Sequence, residues 1–400
     1  MSAQANSNRD WGNWSSKLPP SHYIDNTVYL SPEIHELERR NVFGKVWAFV
    51  AHESEVPEAG DFITTTLAGT PLVLVRDQSG KLRAFLNVCP HRGATLVREP
   101  SGKVHGFTCL FHQWSFDING RCRAVPNPEG YREVGLGPEL FGLKEFRCEK
   151  KLGLVFVTLD DTAQSLESFL GHVLGAVEDV ISPCELEVFH FNRIILPTNW
   201  KLWAATNVEL YHIWLHSINR DTSLKAPNFL ERTVSVYPNG HVAFDPVKHV
   251  YEKRGLGTRD LTLPGLRPNE ARLAHVFPDL LINIRSSSMR LDRVTPLSAT
   301  EVMVECRGLG IKGEAAEDRQ RRINEHNELW GPFGRNLPED GLAAVAQMQA
   351  IKGGAMPHAL CARGTGTTPA MSDEPLRHFQ QQWSALMHGA QTVRADAEAA

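Results

Sequence analysis

Two short segments of the chain each pair a cysteine with a histidine: Cys89-Pro90-His91 and, after seventeen intervening residues, Cys109-Leu110-Phe111-His112. If the four side chains bind one metal centre, the two segments must lie opposite each other, whatever the rest of the chain does. Pro90 and the following Gly93 are residues that tight loops favour. The pattern therefore predicts two facing loops around a metal centre.

Two kinds of metal centre fit this pattern. In zinc fingers the cysteines usually come from one segment and the histidines from another, whereas here each segment supplies one of each. The mixed arrangement suits a binuclear [2Fe–2S] cluster, in which cysteines bind one iron and histidines the other. Neutral imidazoles reduce the negative charge of such a cluster and raise its reduction potential. We predict a [2Fe–2S] cluster bound by Cys89, His91, Cys109 and His112, with zinc as the alternative.

A second group of candidate ligands lies in residues 199–217, which read N-W-K-L-W-A-A-T-N-V-E-L-Y-H-I-W-L-H-S. Glu209, His212 and His216 are spaced i, i+3 and i+7, so a helix would place them on one face. Two imidazoles one turn apart can bind a divalent metal, and a carboxylate one turn earlier can orient the first through its second ring nitrogen. Alone, this spacing more often marks packed or surface histidines. Five further histidines have no comparable partners and are expected to be structural: His190, His241, His249, His275 and His326.

Composition places the chain among ordinary globular proteins of two or three domains, or of one large and one small domain. Of its 400 residues, 42% are hydrophobic and 22% charged, and a net charge of -4 gives no indication of a nucleic-acid partner. No apolar stretch is long enough for a transmembrane helix, and the N-terminus lacks the apolar core of a secretory signal. Seven cysteines, an odd number, argue against a disulfide framework and for a reducing compartment. We expect a cytoplasmic protein.

The chain changes character along its length. Residues 1–25 are polar and are expected to form an arm, and Ser31 is expected to cap a helix that starts at Pro32 and runs to about Val46. The region from Asp61 to about Val157 predicts a small all-β domain with strands at 62–66, 72–75 and 82–86, the last two joined by a turn at 77–80. In the larger remainder strands and helices alternate irregularly.

In these motifs and their order, residues 30–355 resemble the α (terminal oxygenase) subunits of Rieske non-haem iron aromatic-ring-hydroxylating oxygenases. The resemblance implies an α+β fold. A small all-β Rieske [2Fe-2S] domain would precede a helix-grip (START/Bet v1-like) catalytic domain, whose antiparallel sheet wraps around a long helix. We place an N-terminal arm and helix at 1–43, the Rieske domain at 44–160 and the mononuclear iron domain at 161–400.

The resemblance also implies roles for the second group. His212 and His216 would bind a mononuclear Fe(II), and Glu209 would be the catalytic carboxylate between the two metal centres. A 2-His-1-carboxylate triad leaves positions on the iron open for dioxygen and substrate. The family's carboxylate ligand follows a Gly-Pro-x-Gly turn and is the second acid of a pair, which here is Asp340, with Glu339 as the alternative. Without the family, the pair would be read as the acidic first turn of a helix.

Two departures from the family pattern bear on the substrate. The second cluster loop usually reads C-x-Y-H-G-W, whereas Phe111 and Gln113 flank His112 here. The iron segment has Glu209 where most members have Asp, and H-x3-H where many have H-x4-H. Such variants occur in members that act on carbazole or on quaternary amines, so they leave the chemistry in place and the substrate open.

The family assembles as a head-to-tail trimer, in which the cluster of one subunit lies beside the mononuclear iron of the next. The second cluster histidine, His112, would then hydrogen-bond across the interface to Glu209, which also holds His212. Electrons would come ultimately from NAD(P)H through a separate reductase, since no G-x-G-x-x-G follows a strand. A ferredoxin and a β subunit are further partners that occur in the family.

The expected reaction is mono- or cis-dihydroxylation of an aromatic substrate with O2. The segment from Val276 to Met289 is expected to line the pocket, and Arg285 or Arg290 could clamp a carboxylate or sulfonate. A surface strand with paired charges explains these arginines equally well. Three alternatives stay open: N-dealkylation or sulfonate oxidation of a non-aromatic substrate, a Rieske electron carrier without oxygenase chemistry, and a zinc-binding interaction protein.

Overall fold

The computed structural model describes residues 17–137, 140–218, 224–225, 229–251, 260–332, 334, 336–364 and 369–398. Most of the predicted N-terminal arm, residues 1–16, lies outside these ranges, as do Phe333 and Arg335 of the Gly-Pro-x-Gly segment. No helix in the described ranges has both the length and the apolar composition needed to cross a bilayer.

The strands run antiparallel to their neighbours in every sheet, and their lengths differ between the two halves of the chain. In chain order the strands are β1 (Tyr23–Asp25), β2 (Ala48–His52), β3 (Asp61–Leu67), β4 (Thr70–Arg76), β5 (Leu82–Leu86), β6 (Ser101–Lys103), β7 (Gly106–Thr108), β8 (Ser115–Asp117), β9 (Cys122–Ala124), β10 (Glu145–Lys151), β11 (Leu154–Thr158), β12 (Leu186–Leu196), β13 (Leu224–Lys225), β14 (Val234–Tyr237), β15 (His241–Lys248), β16 (Val250–Tyr251), β17 (Glu270–Val276), β18 (Leu280–Arg285), β19 (Ser288–Ser298), β20 (Glu301–Ile311) and β21 (His358–Leu360). The helices are α1 (Pro32–Asn41), α2 (Glu129–Arg132), α3 (Leu166–Leu170), α4 (Glu178–Ile181), α5 (Trp200–Val208), α6 (Ile213–Ile218), α7 (Ala316–Trp330), α8 (Leu337–Lys352) and α9 (Glu374–Glu398).

The N-terminal elements correct two expectations. Ser31 caps α1 as predicted, but the helix ends at Asn41 rather than near Val46, because Val42 and Phe43 turn into the core and are almost fully buried. The predicted arm also ends earlier than residue 25, since β1 pairs with β21 near the C-terminus.

The first half of the chain forms a seven-stranded sheet in the order β2-β11-β10-β5-β4-β3-β6 and a three-stranded sheet in the order β7-β8-β9. The predicted strands correspond to β3, β4 and β5. The turn between β4 and β5 forms because the Asp77 carboxylate accepts the backbone N–H groups of Ser79 and Lys81, at 2.8 and 3.0 Å. The two loops with the Cys-His pairs follow β5 and β7.

The second half forms a seven-stranded sheet in the order β12-β20-β19-β18-β17-β15-β14. The helix α5 contacts β19 of this sheet and is packed on its other sides by α8 and α9. It starts at Asn199, whose side chain caps Lys201 N at 2.9 Å, and its Trp200 and Trp203 side chains are fully buried. A sheet that holds a helix against its face, next to a separate all-β domain, is the α+β fold that was expected.

Candidate active site and cluster-binding loops

The two Cys-His loops have the same backbone structure. Gly93 N donates to Cys89 O and Gln113 N donates to Cys109 O, both at 3.0 Å. Gly93 and Gln113 also share a left-handed backbone, with φ of 78° and 60°. The position that the family fills with glycine is therefore left-handed here too, although a glutamine occupies it.

The loops bring the four predicted cluster ligands together. Cys89 and Cys109 are buried, whereas His91 and His112 lie partly exposed above them with ring centroids 4.6 Å apart. Burial raises the pKa of the Cys89 thiol, and the neighbouring Cys109 adds to that effect. Two buried thiols side by side ionise readily only beside a cation, so the donor set fits a metal cluster.

Two aromatic side chains fix the orientation of His91. The Trp114 indole stacks on the imidazole with centroids 4.6 Å apart and planes only 4° from parallel. The Tyr131 hydroxyl lies 3.0 Å from His91 Nε2, which leaves Nδ1 for a metal. No sequence pattern indicates Tyr131, because it lies forty residues from its partner in another loop.

The second group of candidate ligands does not lie on one continuous helix, which corrects the sequence prediction. The helix α5 ends at Val208, and Glu209 has an extended backbone with φ -128° and ψ 153°. The Glu209 carboxylate accepts Tyr211 N at 2.5 Å, so a side chain replaces the helical hydrogen bond at this point. His212 follows in the turn, and His216 lies in the short helix α6.

The break nevertheless brings His212 and His216 to Asp340, which lies in the first turn of α8. Asp340 Oδ1 is 3.5 Å from His212 Nε2 and 3.2 Å from His216 Nε2. Ligand atoms of the three residues all lie within 4.8 Å of one another. Asp340 Oδ1 is buried and forms no well-directed hydrogen bond, as expected of atoms arranged around a cation rather than bonded to each other.

Each of the two imidazoles is held from behind by a carboxylate. Glu209 Oε1 is 2.8 Å from His212 Nδ1, and Glu339 Oε2 is 2.5 Å from His216 Nδ1. Both Nε2 atoms therefore face Asp340. Glu339 was the alternative ligand in the sequence prediction. In the structure it instead binds His216 Nδ1 and orients that ring, as Glu209 orients His212.

The charges around His212, His216 and Asp340 also indicate a cation site. Burial lowers the pKa of His216, but the neighbouring Asp340 and Glu339 carboxylates outweigh that effect and raise it to about 9. The pKa of His212 is also raised, because the hydrogen bond to Glu209 outweighs the effect of burial. Without a metal the cluster of carboxylates is balanced by protons on the imidazoles, and a divalent cation at the three facing ligand atoms would replace them.

Comparison with known proteins identifies the family. A family model for the Rieske [2Fe-2S] domain matches residues 46–146, and one for the ring hydroxylating alpha subunit (catalytic domain) matches residues 181–389. The chain is 42% identical over 371 residues to the α subunit of 2-aminobenzenesulfonate 2,3-dioxygenase from Alcaligenes sp., which covers 92% of this chain and 94% of that protein. The chain belongs to the Rieske ring-hydroxylating oxygenase α subunits.

Two further similarities agree with this assignment. The chain is 38% identical to the hydroxylase α subunit of methanesulfonate monooxygenase from Methylosulfonomonas methylovora, over 93% of this chain and 92% of that protein. Its fold matches naphthalene 1,2-dioxygenase from Rhodococcus sp. with a TM-score of 0.80, at 23% identity over 91% of this chain and 94% of that one.

As a Rieske oxygenase, the protein is an oxidoreductase with a [2Fe-2S] domain and a mononuclear iron domain. Family members act with a reductase and a ferredoxin and form oligomers.

A cavity in this oxygenase α subunit adjoins the His212–His216–Asp340 group. Its apolar wall consists of buried side chains from four elements, and its polar wall is rich in arginine. The lining residues are Thr206, Asn207, Leu210, His212, Ile213, His216, Phe229, Arg232, His249, Leu273, Asn283, Arg285, Arg290, Trp330, Asn336 and Asp340. The cavity can therefore hold a substrate that is partly apolar and partly anionic.

The predicted pocket segment contributes less to the cavity than expected. Of Val276 to Met289, only Asn283 and Arg285 line it, because the apolar residues of β18 pack into the core instead. The surface-strand interpretation of Arg290 is wrong, since Arg290 is only 1% exposed. Its charge is paired, however: Arg290 Nη2 lies 2.8 Å from Asp292 Oδ2. The sequence reasoning missed Arg232, and it treated His249 as structural.

Proposed function

We propose that this protein is the terminal oxygenase component of a system that hydroxylates an organic anion, and in particular an organosulfonate. The observation that carries the proposal is the group formed by Asp340 and the two histidines, with both Nε2 atoms directed at the carboxylate beside a basic cavity. Electrons would come from NAD(P)H through a separate reductase. A ferredoxin and a β subunit are further candidate partners.

In this proposal Cys89, His91, Cys109 and His112 hold the [2Fe–2S] cluster. His212, His216 and Asp340 hold the mononuclear Fe(II), and the observed distances among them are compatible with that role. When bound, the iron supplies the activation of O2 and the cluster supplies electrons one at a time. The domains would span residues 44–160 and 161–400, after an N-terminal segment of residues 1–43.

The protein's own contribution is to orient, position and exclude water. Glu209 and Glu339 accept the Nδ1 protons of the two imidazoles and so present the basic Nε2 atoms to the metal. Buried Leu210, Phe229 and Trp330 also line the cavity and keep bulk water from the substrate.

Glu209 is proposed to link subunits. Its Oε1 holds His212, and its side chain is 18% exposed, so it is accessible to a neighbouring subunit. In a head-to-tail trimer the partly exposed His112 of another copy would approach it. Glu209→Ala should then leave both metal sites filled but stop electron delivery between them. Glu209→Gln keeps the size and removes the charge, so it tests whether charge is required; normal reduction and turnover in both variants would contradict the link.

The basic cavity supports an anionic substrate over a cationic one. Arg232, Arg285 and Arg290 all line it; Asp292 balances the charge of Arg290, and the remaining positive charge would repel a quaternary ammonium group. A solved quaternary ammonium Rieske monooxygenase shares this fold, with a TM-score of 0.77 at 22% identity, but that similarity concerns the fold alone. Two relatives, at 42% and 38% identity, are named for sulfonate substrates, one aromatic and one aliphatic. Sulfonates therefore suit both the relatives and the charge of the cavity.

The test starts with anaerobically purified protein and metal analysis. We expect two irons of a [2Fe–2S] centre and a third, mononuclear iron, with the low average g-value of a His-ligated cluster in the EPR spectrum after dithionite reduction. The protein is then incubated with a suitable reductase, O2 and a panel of 2-aminobenzenesulfonate, methanesulfonate and benzoate, followed by mass spectrometry of the products. Zinc in place of iron, or two irons that cannot be supplemented by Fe(II), would contradict the proposal.

The products distinguish monooxygenation from cis-dihydroxylation, which use the same ligands. Asp340→Asn is expected to lose the third iron and keep the cluster signal. Its control is Glu317→Gln, which removes an exposed carboxylate from α7. Localisation in the cytoplasm remains part of the proposal and can be tested by fractionation.

A further inference from the structure

Arg232 is a charged residue of the cavity that forms no ion pair within the described ranges, although the more distant charge of Asp245 favours its cationic form. Its side chain is only 6% exposed, and it lies just after the turn Phe229–Glu231. Its Nε donates to the Asp245 carbonyl and its Nη2 to the Phe244 carbonyl, the latter at 3.5 Å. A guanidinium has five N–H donors, and the rest have no acceptor among the residues that the structure describes.

Two neighbouring side chains of the cavity share this lack of partners. His249 is 6% exposed, and neither ring nitrogen has a hydrogen-bond partner in the described ranges. Asn283 is 7% exposed, and its Oδ1 has no hydrogen-bond partner in the described ranges. Buried polar groups without partners are costly, so the N–H groups of Arg232 and His249, beside an Asn283 amide that can donate through Nδ2, indicate a ligand with several acceptor atoms.

The balance of charge distinguishes the three arginines. Arg290 is compensated by Asp292 at 2.8 Å and lies against the Trp330 ring. Arg285 is close enough to Arg232 to disfavour its charge: burial lowers the pKa of Arg232 to about 9, and Arg285 acts in the same direction. Arg232 therefore stays cationic at neutral pH, and an anion in the cavity would relieve its repulsion with Arg285.

The position of His249 links this region to the metal site. Burial lowers the pKa of His249 strongly, and the charges of Arg285, Arg232 and His216 act in the same direction. These three residues line the same cavity as His249. The ring is neutral at physiological pH, and one of its nitrogens can donate a hydrogen bond. An anion held by Arg232, Arg285 and His249 would lie in the same cavity as His216.

We propose that Arg232, with Arg285, His249 and Asn283, forms a subsite for the sulfonate group of the substrate, and that Arg232 rather than Arg290 determines this specificity. The inference rests on the proposed function and specifies how the same cavity binds its substrate. The donors come from three separate stretches of chain: the segment before β14, the segment after β15, and β18. Donors around several directions suit the three oxygens of a tetrahedral sulfonate better than the two coplanar oxygens of a carboxylate.

The binding test uses the Fe(II)-loaded protein under anaerobic conditions and isothermal titration calorimetry, so that turnover is not needed. The ligands are benzenesulfonate, benzoate and the neutral methyl phenyl sulfone. Arg232→Gln should weaken benzenesulfonate binding by about 10- to 100-fold, as expected for a lost charged hydrogen bond, and leave the sulfone unchanged. Arg232→Lys should recover part of the loss, because it restores the charge but not the planar fork.

The matched control is Arg321→Gln, which removes one positive charge from the surface of α7, outside the cavity. It should bind all three ligands as the wild type does. Iron content and the cluster EPR signal should be the same in every variant. If Arg232→Gln does not fold, the wild type alone still tests the proposal, since benzenesulfonate should bind at least tenfold more tightly than the neutral sulfone.

Five results separate the possible failures. Wild-type affinity in Arg232→Gln, or equal binding of sulfonate and sulfone by the wild type, would overturn the subsite. Tighter binding of benzoate than of benzenesulfonate would overturn its assignment to sulfonates. Arg232-dependent binding without O2-dependent product from any substrate would leave the subsite in place and refute the oxygenase function. Turnover that accepts neutral and anionic substrates equally would support the oxygenase function and refute the sulfonate subsite.

Discussion

Replacing Glu339 by glutamine tests whether the carboxylate behind His216 supports the metal site. Glu339 Oε2 lies 2.5 Å from His216 Nδ1, and both residues are buried, so water does not readily replace the lost interaction. A hydrogen bond between charged groups contributes about 1.5–3 kcal/mol, which corresponds to roughly 10- to 150-fold in affinity. Loss of a partner behind a metal-binding histidine typically weakens metal affinity about 10- to 100-fold. We therefore expect Fe(II) to bind Glu339→Gln one to two orders of magnitude more weakly, because the amide can still meet His216 but no longer polarises it.

The assay is anaerobic competition for Fe(II) against a chromogenic chelator, with the [2Fe–2S] absorbance as an internal reference that should not change. Glu317→Gln is the control, since Glu317 is exposed on α7 and pairs only with Arg321. Glu209→Gln provides a second comparison. The Glu209 side chain is more exposed than that of Glu339, so water can replace part of its bond to His212, and its effect on Fe(II) affinity should be smaller.

The reasoning is refuted if Glu339→Gln binds Fe(II) within about threefold of the wild type, well below the range expected for a carboxylate behind a metal-binding histidine. It is also refuted if the variant loses the cluster signal in parallel with the mononuclear iron, because the effect would then be general unfolding. Complete loss of Fe(II) with an intact cluster would instead make Glu339 a direct ligand, the alternative raised by the sequence.

Three further predictions concern the cluster loops and the interface between the domains. Gln113→Gly should raise the free energy of unfolding by about 0.5–1 kcal/mol in thermal denaturation, since Gln113 has a φ of 60° that glycine adopts without strain; an unchanged or lower value would contradict this. With a metal on Nδ1, His91 would donate its Nε2 proton to Tyr131, so Tyr131→Phe should make the ring a weaker electron donor and raise the cluster's reduction potential in spectroelectrochemistry. Burial raises the pKa of Asp279 to about 7 in the folded protein, so its proton is bound more tightly there than in the unfolded chain, and its contribution to stability falls as pH rises from about 4 to 7. Asp279→Asn, which can still accept Phe49 N, should gain roughly 4 kcal/mol relative to the wild type over that range in denaturant titrations; a constant difference would contradict the prediction.

Spacing in the sequence was sufficient to group Glu209, His212 and His216, but not to predict the backbone between them, and Asp340 was assigned from the family resemblance. Glu209 and His212 would face the same way on a continuous helix, and they also meet across the turn that the structure contains. The helix ends because the Glu209 carboxylate binds Tyr211 N, and a side-chain bond to the backbone leaves no trace in an apolar pattern. The same applies to the roles of Glu339 and Asp340. Adjacent acids in a first helical turn look equivalent in the sequence, and only the position of His216 separates them.

The substrate cavity was less predictable because its residues come from distant segments. Arg232, His249 and Asn283 lie before β14, after β15 and within β18, and only the strand order of the sheet brings them together. No periodic pattern connects them, whereas the Cys-His loops repeat a pattern along the chain. The sheet order itself requires a long-range register, such as that of β17 between β15 and β18, which short-range signals do not contain.

One distinction within the cavity was available from the sequence. Residues i and i+2 of a strand point to the same side, so the Arg290-Leu291-Asp292 order already predicts a self-compensating pair once the segment is assigned as a strand. The structure contains that pair at 2.8 Å. Arg293 is compensated by a cross-strand pair, since it lies opposite Glu305 of β20. Arg232 is followed by Thr233 and Val234, so the strand that starts there offers it no acid at i+2. The neighbouring strand β15 supplies Asp245, but Arg232 binds its backbone carbonyl and forms no ion pair with its carboxylate, so a substrate anion in the cavity would supply a closer counter-charge.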